Sequence, residues 1–149
     1  MNRSQRAGDY FMSGYNCAQS VTMAFADLIG MDEKAAARLA SPFGGGMGRM
    51  REVCGAVSGM LIVLGILYGY DKPNDDEIKK ALYEQVQGLA GSFREEVGTI
   101  ICREILDNPP SDPNPTPRTA EFYKQRPCVR IVMTAARVME NYIAAHPLN

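Results

Sequence analysis

Between Cys54 and Tyr70 the chain carries no charged residue, and the run is closed off by Arg51 and Glu52 on one side and Asp71 and Lys72 on the other. Met60 to Leu67 is its most apolar part. Such a segment has to leave water, either in a bilayer or in a protein core. Its length only reaches the lower limit for a spanning helix, about 17 residues. Gly55, Ser58, Gly59, Gly65 and Gly69 also dilute its hydrophobicity. We expect a fully buried central helix, whose small residues let neighbouring backbones come close.

The rest of the chain reads as helices that could surround it. Arg3 to Met12 forms a first helix, and Ser13-Gly14-Tyr15 stops it. Asn16 is an N-cap for a second helix reaching about Leu28, with Val21, Ala24, Phe25 and Leu28 at helical spacing. After Gly30, Asp32 caps a third helix through about Leu39. The central helix is expected from Arg49 or Arg51 to about Gly69. Asp75 caps the next, which runs to about Leu89 and is broken at Gly91-Ser92-Phe93. A shorter helix covers Thr99 to Leu106 and carries Cys102. Five prolines between Pro109 and Pro117 forbid a helix there and mark a surface loop. Pro127, at the favoured first position, opens the last helix. No alternating strand pattern and no internal repeat occurs. The expected fold is all-α: one domain over residues 1–149, a bundle of six or seven helices.

The four cysteines, Cys17, Cys54, Cys102 and Cys128, carry the chemistry. Free cysteine is commonly a small buried hydrophobe. Burial alone, however, gives no reason to favour a helix start, and Cys17, Cys54 and Cys128 all fall there. The positive end of a helix and its unpaired N–H groups stabilise a thiolate. Cys54, approached by glycines and two arginines, is expected to be the most activated thiol. Cys17 and Cys128 are its partners or fellow ligands. Cys102, deeper in its helix, is a resolving thiol or fourth ligand. Three chemistries suit the set: disulfide exchange, a zinc site, or an iron–sulfur cluster. The absence of any C-x-x-C pair speaks against the two metal sites.

Ser41 to Gly48 is glycine-rich and feeds towards the central helix. No strand precedes it and no Lys-Ser or Lys-Thr follows, so it is not a P-loop. Gly44, Gly45, Gly46, Gly48 and Gly55 are candidates to line a cofactor site, letting backbone approach the thiols and aiming donors at Cys54. Arg49 and Arg51 add positive charge or are plain surface. His146 is the only histidine and sits near the C-terminus, so a Cys–His catalytic pair has little support. The nine methionines read as core filling, and Glu95-Glu96 as a solvated pair in a loop.

A net charge of −1 and 8% aromatic residues give no footprint for nucleic acid or an anionic membrane. Met1 to Arg6 is basic, but Ala7-Gly8-Asp9-Tyr10 interrupts any apolar stretch, so no secretory signal is expected. A cytoplasmic setting follows as the default, with thiols kept reduced.

Gly14-Tyr15-Asn16-Cys17-Ala18-Gln19, Phe43-Gly44-Gly45-Gly46-Met47-Gly48, Cys54-Gly55-Ala56-Val57-Ser58-Gly59 and the single cysteines 102 and 128 together resemble the C_GCAxxG_C_C family. The resemblance spans nearly the whole chain. It implies a redox-active four-cysteine protein, a description resting on the cysteines themselves, with no reaction established. The pattern also resembles a domain of split-Soret cytochromes, which implies iron–sulfur binding as one option. No C-x-x-C-H motif for covalent haem is present. The expected function is thiol–disulfide exchange or electron transfer with an unidentified redox partner. The alternatives are an iron–sulfur or zinc protein using the same cysteines, and a non-catalytic helical module that binds a partner or a second copy through the small-residue face of Gly55–Gly69.

Overall fold

In the computed structural model, which describes residues 2–148, five of the eight helix starts follow side-chain caps. The helices are α1 (Arg3–Met12), α2 (Cys17–Met23), α3 (Glu33–Ala40), α4 (Gly55–Tyr68), α5 (Asp76–Val97), α6 (Cys102–Ile105), α7 (Ala120–Gln125) and α8 (Cys128–Ala145). Asn2 and Asn16 each form a full capping box, with Gln5 and Gln19 respectively. Asp32, Asp75 and Thr119 each accept a backbone N–H in the first turn of the helix they precede. Among the described residues there is no strand, only a single antiparallel bridge between Val53 and Ile101. The all-helical expectation stands, with eight right-handed α-helices among the described residues where six or seven helices were expected.

The first ten residues of α4 form the middle of the core. Val57, Met60, Val63 and Leu64 are at most 1% exposed. They pack with Phe11, Phe93 and Met139 from three other helices and with Phe25 from the turns after α2, each such side chain contributing about 1.5–3 kcal/mol by leaving water. Burial is not complete, however: Gly65 and Ile66 in the last turn surface. α2 lies close against α4 because Gly59 has no side chain; a Cβ there would stand 2.8 Å from the Ala18 carbonyl. α1 lies along α8, where Gly8 meets the Met133 side chain and Ser4 Oγ donates to the Met133 carbonyl at 2.9 Å. No helix among the described residues is long and apolar enough to cross a membrane.

Several boundaries differ from expectation. α2 ends at Met23, not Leu28; the chain continues in turns whose N–H groups reach back three residues, as from Phe25 to Thr22. The central helix begins at Gly55, not Arg49 or Arg51. The segment before it is spent on a left-handed glycine turn and on the Val53–Ile101 bridge. α5 runs unbroken through Gly91-Ser92-Phe93 to Val97, because Leu89, Ala90 and Phe93 bury against the core and override the poor helix propensity of glycine. Glu95 and Glu96 are therefore helical, and Glu96 pairs with Arg137 of α8. α7 was not expected, and Pro127 is the N-cap of α8 rather than its first residue.

Candidate functional site

All four cysteines open helices. Cys17, Cys102 and Cys128 are the first residues of α2, α6 and α8, and Cys54 is the N-cap of α4. Cys102 is thus not deep in its helix, as the sequence suggested. The reason is the bridge: Cys54 N–H donates to the Ile100 carbonyl and Cys102 N–H to the Glu52 carbonyl, both at 2.7 Å. These two bonds hold the heads of α4 and α6 side by side. The Asn16 capping box sets the head of α2, and Asn16 Nδ2 also donates to the Ser41 carbonyl at 3.1 Å.

The Gly44–Met47 segment winds left-handed. Gly45, Gly46, Met47, Gly48 and Arg49 all have φ between 57° and 69°, a region that costs residues with a side chain roughly 1–2 kcal/mol each. The turn delivers Gly46 onto the site: a Cβ there would lie 2.8 Å from both Cys102 Cβ and the Glu52 nitrogen. Gly44 is held against Asn16, which a Cβ would overlap. The glycines therefore back onto Cys102 and the α2 cap, and not onto Cys54. The donors facing Cys54 are instead the N–H groups of Ala56 and Val57.

Cys17, Cys54, Cys102 and Cys128 line one cavity of about 320 Å³, with Gly44, Gly45, Gly46, Gly48 and Gly55 also in its wall. Apolar surface comes from Phe11, Ile105, Leu106, Phe122 and Ile131. One side is closed by the proline segment, which is no free loop: Pro113, Pro115 and Thr116 face the cavity. Arg49 fastens it, donating from Nε to the Asp112 carbonyl at 2.8 Å and from Nη1 to Thr116 Oγ1 at 3.0 Å. Arg51 Nε donates to the Pro110 carbonyl at 2.9 Å. Arg51 is no surface residue either, at 4% exposure.

The thiols are unequal. Burial pushes Cys54 up to about 12, against the pull of the Ala56 and Val57 N–H groups. Cys54 is therefore not the most activated thiol; desolvation at 5% exposure outweighs its place at a helix head. Burial also raises Cys102, although Arg51 Nη1 approaches its sulfur at 3.7 Å. Cys17 and Cys128 form an interacting pair. The Cys17 thiol, directed at Cys128, holds Cys128 down at about 7, helped by the charges of Arg126, Arg118 and Arg51 against the cost of burial. Cys17 keeps its proton and moves well up, first through that same interaction and then through burial. All four cysteines are free.

Arg118 and Arg126 also stand at the cavity, and the sequence assigned neither a role. Arg118 lies over the Phe11 ring at 4.3 Å and donates to the Phe11 and Tyr15 carbonyls, both at 3.0 Å. Arg126 lies over Phe122. The one local signal was Arg126-Pro127-Cys128, a cation two residues ahead of a helix-opening thiol. Among the described residues, no group of three or more His, Cys, Asp or Glu could hold a metal ion. His146 is remote from the thiols, stacked on Tyr142 at the end of α8.

The model of a family described as "Putative redox-active protein (C_GCAxxG_C_C)" matches residues 15–142. No curated protein and no solved structure matches the chain. The matched span contains all four thiols, the glycine turn and the arginines around the cavity, and the chain belongs to the C_GCAxxG_C_C family.

Proposed function

We propose that the protein carries out thiol–disulfide exchange, with Cys128 as the attacking thiolate and Cys17 as the resolving thiol. One observation carries the reading: of four thiols around one cavity, Cys128 alone is held near neutrality, and it is held there by the thiol next to it. An attacking thiol works best with a pKa near the ambient pH, since a lower value costs nucleophilicity. Cys128 also heads an 18-residue helix, whose positive end favours its thiolate.

The reaction then runs in two displacements. Cys128 Sγ attacks one sulfur of a disulfide R–S–S–R, forms Cys128–S–S–R and expels the first thiolate, which leaves as RSH after taking a proton. Cys17, having given up its proton, attacks Cys128 Sγ, forms the Cys17–Cys128 disulfide and expels the second. Two cysteines are oxidised and one external disulfide is reduced to two thiols; the reverse sequence oxidises two thiols. Cys54 and Cys102 stay protonated at neutral pH, within the same cavity. The strap and the apolar wall shield the pair from bulk water.

Alkylation by iodoacetamide as a function of pH tests this, with each modified cysteine identified by mass spectrometry. We expect Cys128 to react with a midpoint near 7 and the other three to lag well behind at neutral pH. A midpoint for Cys128 at or above that of an ordinary thiol, about 8.5, would refute it.

A further inference from the structure

Four guanidinium groups, Arg49, Arg51, Arg118 and Arg126, line the cavity, and among the described residues no Asp or Glu lines it. The chain as a whole has a net charge of −1, so this is a local concentration of positive charge. Two of the four are occupied by the fold. Arg49 fastens the proline strap, and Arg118 spends both terminal nitrogens on backbone carbonyls. Arg51 differs. It is 4% exposed, its Nε and Nη1 are engaged by the Pro110 carbonyl and Cys102 Sγ, and its Nη2 has no hydrogen-bond partner. A buried charged donor left unpaired is costly. Among the described residues no carboxylate lines the cavity to offset it, and Arg51 stands in the wall that all four thiols share.

Size and lining narrow what could complete the site. A volume of about 320 Å³ suits a small molecule and excludes a folded segment of another protein. Phe11, Phe122 and Ile131 offer apolar contact for its body. We propose that the cavity is the substrate site for a low-molecular-weight disulfide bearing a carboxylate, which pairs with the positive charge of Arg51 in the wall while a sulfur faces Cys128. Arg126, over the Phe122 ring at 5.1 Å, supplies the second positive charge. This inference rests on the exchange reading above. The chemistry is the balanced exchange already given, with the acidic disulfide as the oxidant and two acidic thiols as the products.

The test compares two disulfides as oxidants of the reduced protein: dithiodipropionate, which carries two carboxylates, and bis-hydroxyethyl disulfide, which carries none. Each rate is divided by that for dithiothreitol, removing intrinsic reactivity. In parallel, suberate, an unreactive dicarboxylate of similar length, is tested for its effect on Tm. We expect about a tenfold preference for dithiodipropionate, the size of one hydrogen bond to a charged group. We expect suberate to raise Tm. Both effects should be lost in Arg51→Gln and weakened in Arg126→Gln, the second variant lying outside the buried strap contacts. Equal normalised rates in the wild-type protein, with no response to suberate, would overturn the acidic-substrate site and leave exchange standing. If suberate binds but neither disulfide oxidises Cys17 and Cys128, the exchange reading falls, and the disulfide substrate with it.

Discussion

Cys54 and Cys128 stand at the heads of two of the three long helices that meet in the core, and their thiols move in opposite directions. Helix position does not separate them; neighbours do. Cys54 faces two backbone N–H groups and the Cys102 and Cys128 thiols, so desolvation prevails, whereas Cys128 faces the Cys17 thiol and three guanidiniums. Cys17→Ala removes the nearest of these partners, and we expect the alkylation midpoint of Cys128 to climb from near 7 towards the ordinary thiol value. Unfolding should record the other thiol. Cys54 keeps its proton in the folded state between 9.0 and about 12, where an unfolded thiol has lost it. The unfolded state binds fewer protons in that window, so stability falls as pH rises through it, by about 1.4 kcal/mol per pH unit for each such thiol. Cys128 acts in the opposite sense, adding stability as pH rises from about 7 to 9.0. Urea midpoints should therefore be highest a little below pH 9 and fall beyond it, with a shallower alkaline limb in Cys54→Ala.

The glycine turn and α4 show what glycine does in each setting. Gly46 has φ +68° and no room for a Cβ, whereas Gly65, on the exposed turn of α4, has nothing within 4 Å. Gly46→Ala should cost about 2 kcal/mol or more in urea unfolding, from the left-handed backbone plus the clash, and Gly65→Ala should gain about 0.5–1 kcal/mol. Equal effects at the two positions would mean that the turn is not built as described. Much of this was legible locally. Asn16, Asp32 and Asp75 announced their helices, the Asn16 cap put Cys17 at the head of α2, and Pro127 marked the start of α8 to within one residue of Cys128. What was not legible depends on distant partners. The Val53–Ile101 bridge starts α4 late and brings Cys102 to the head of α6, and no local pattern signals a bridge of one residue pair. The continuity of α5 past Gly91 comes from Phe93 burying in the core. The proline segment looked like a free loop because its bonds come from Arg49 and Arg51, some sixty residues earlier.

For the molecule as a whole, α1, α2, α4 and α8 form a frame that brings three thiols to one cavity; α6 brings the fourth, and the strap closes over them. Arg49 ties the strap without itself engaging a sulfur. Arg49→Ala should leave the far-ultraviolet circular dichroism spectrum unchanged while raising the alkylation rate of Cys102 several-fold, through easier local opening. An unchanged rate would mean that the strap does not control access. The measurement that bears most directly on the site is disulfide mapping of the protein equilibrated in a graded thiol–disulfide buffer. The first bond to form should join Cys17 to Cys128, with Cys54 and Cys102 still free. A first bond between any other two cysteines, or none across the whole range, would contradict the assignment of Cys17 and Cys128 as the exchanging pair.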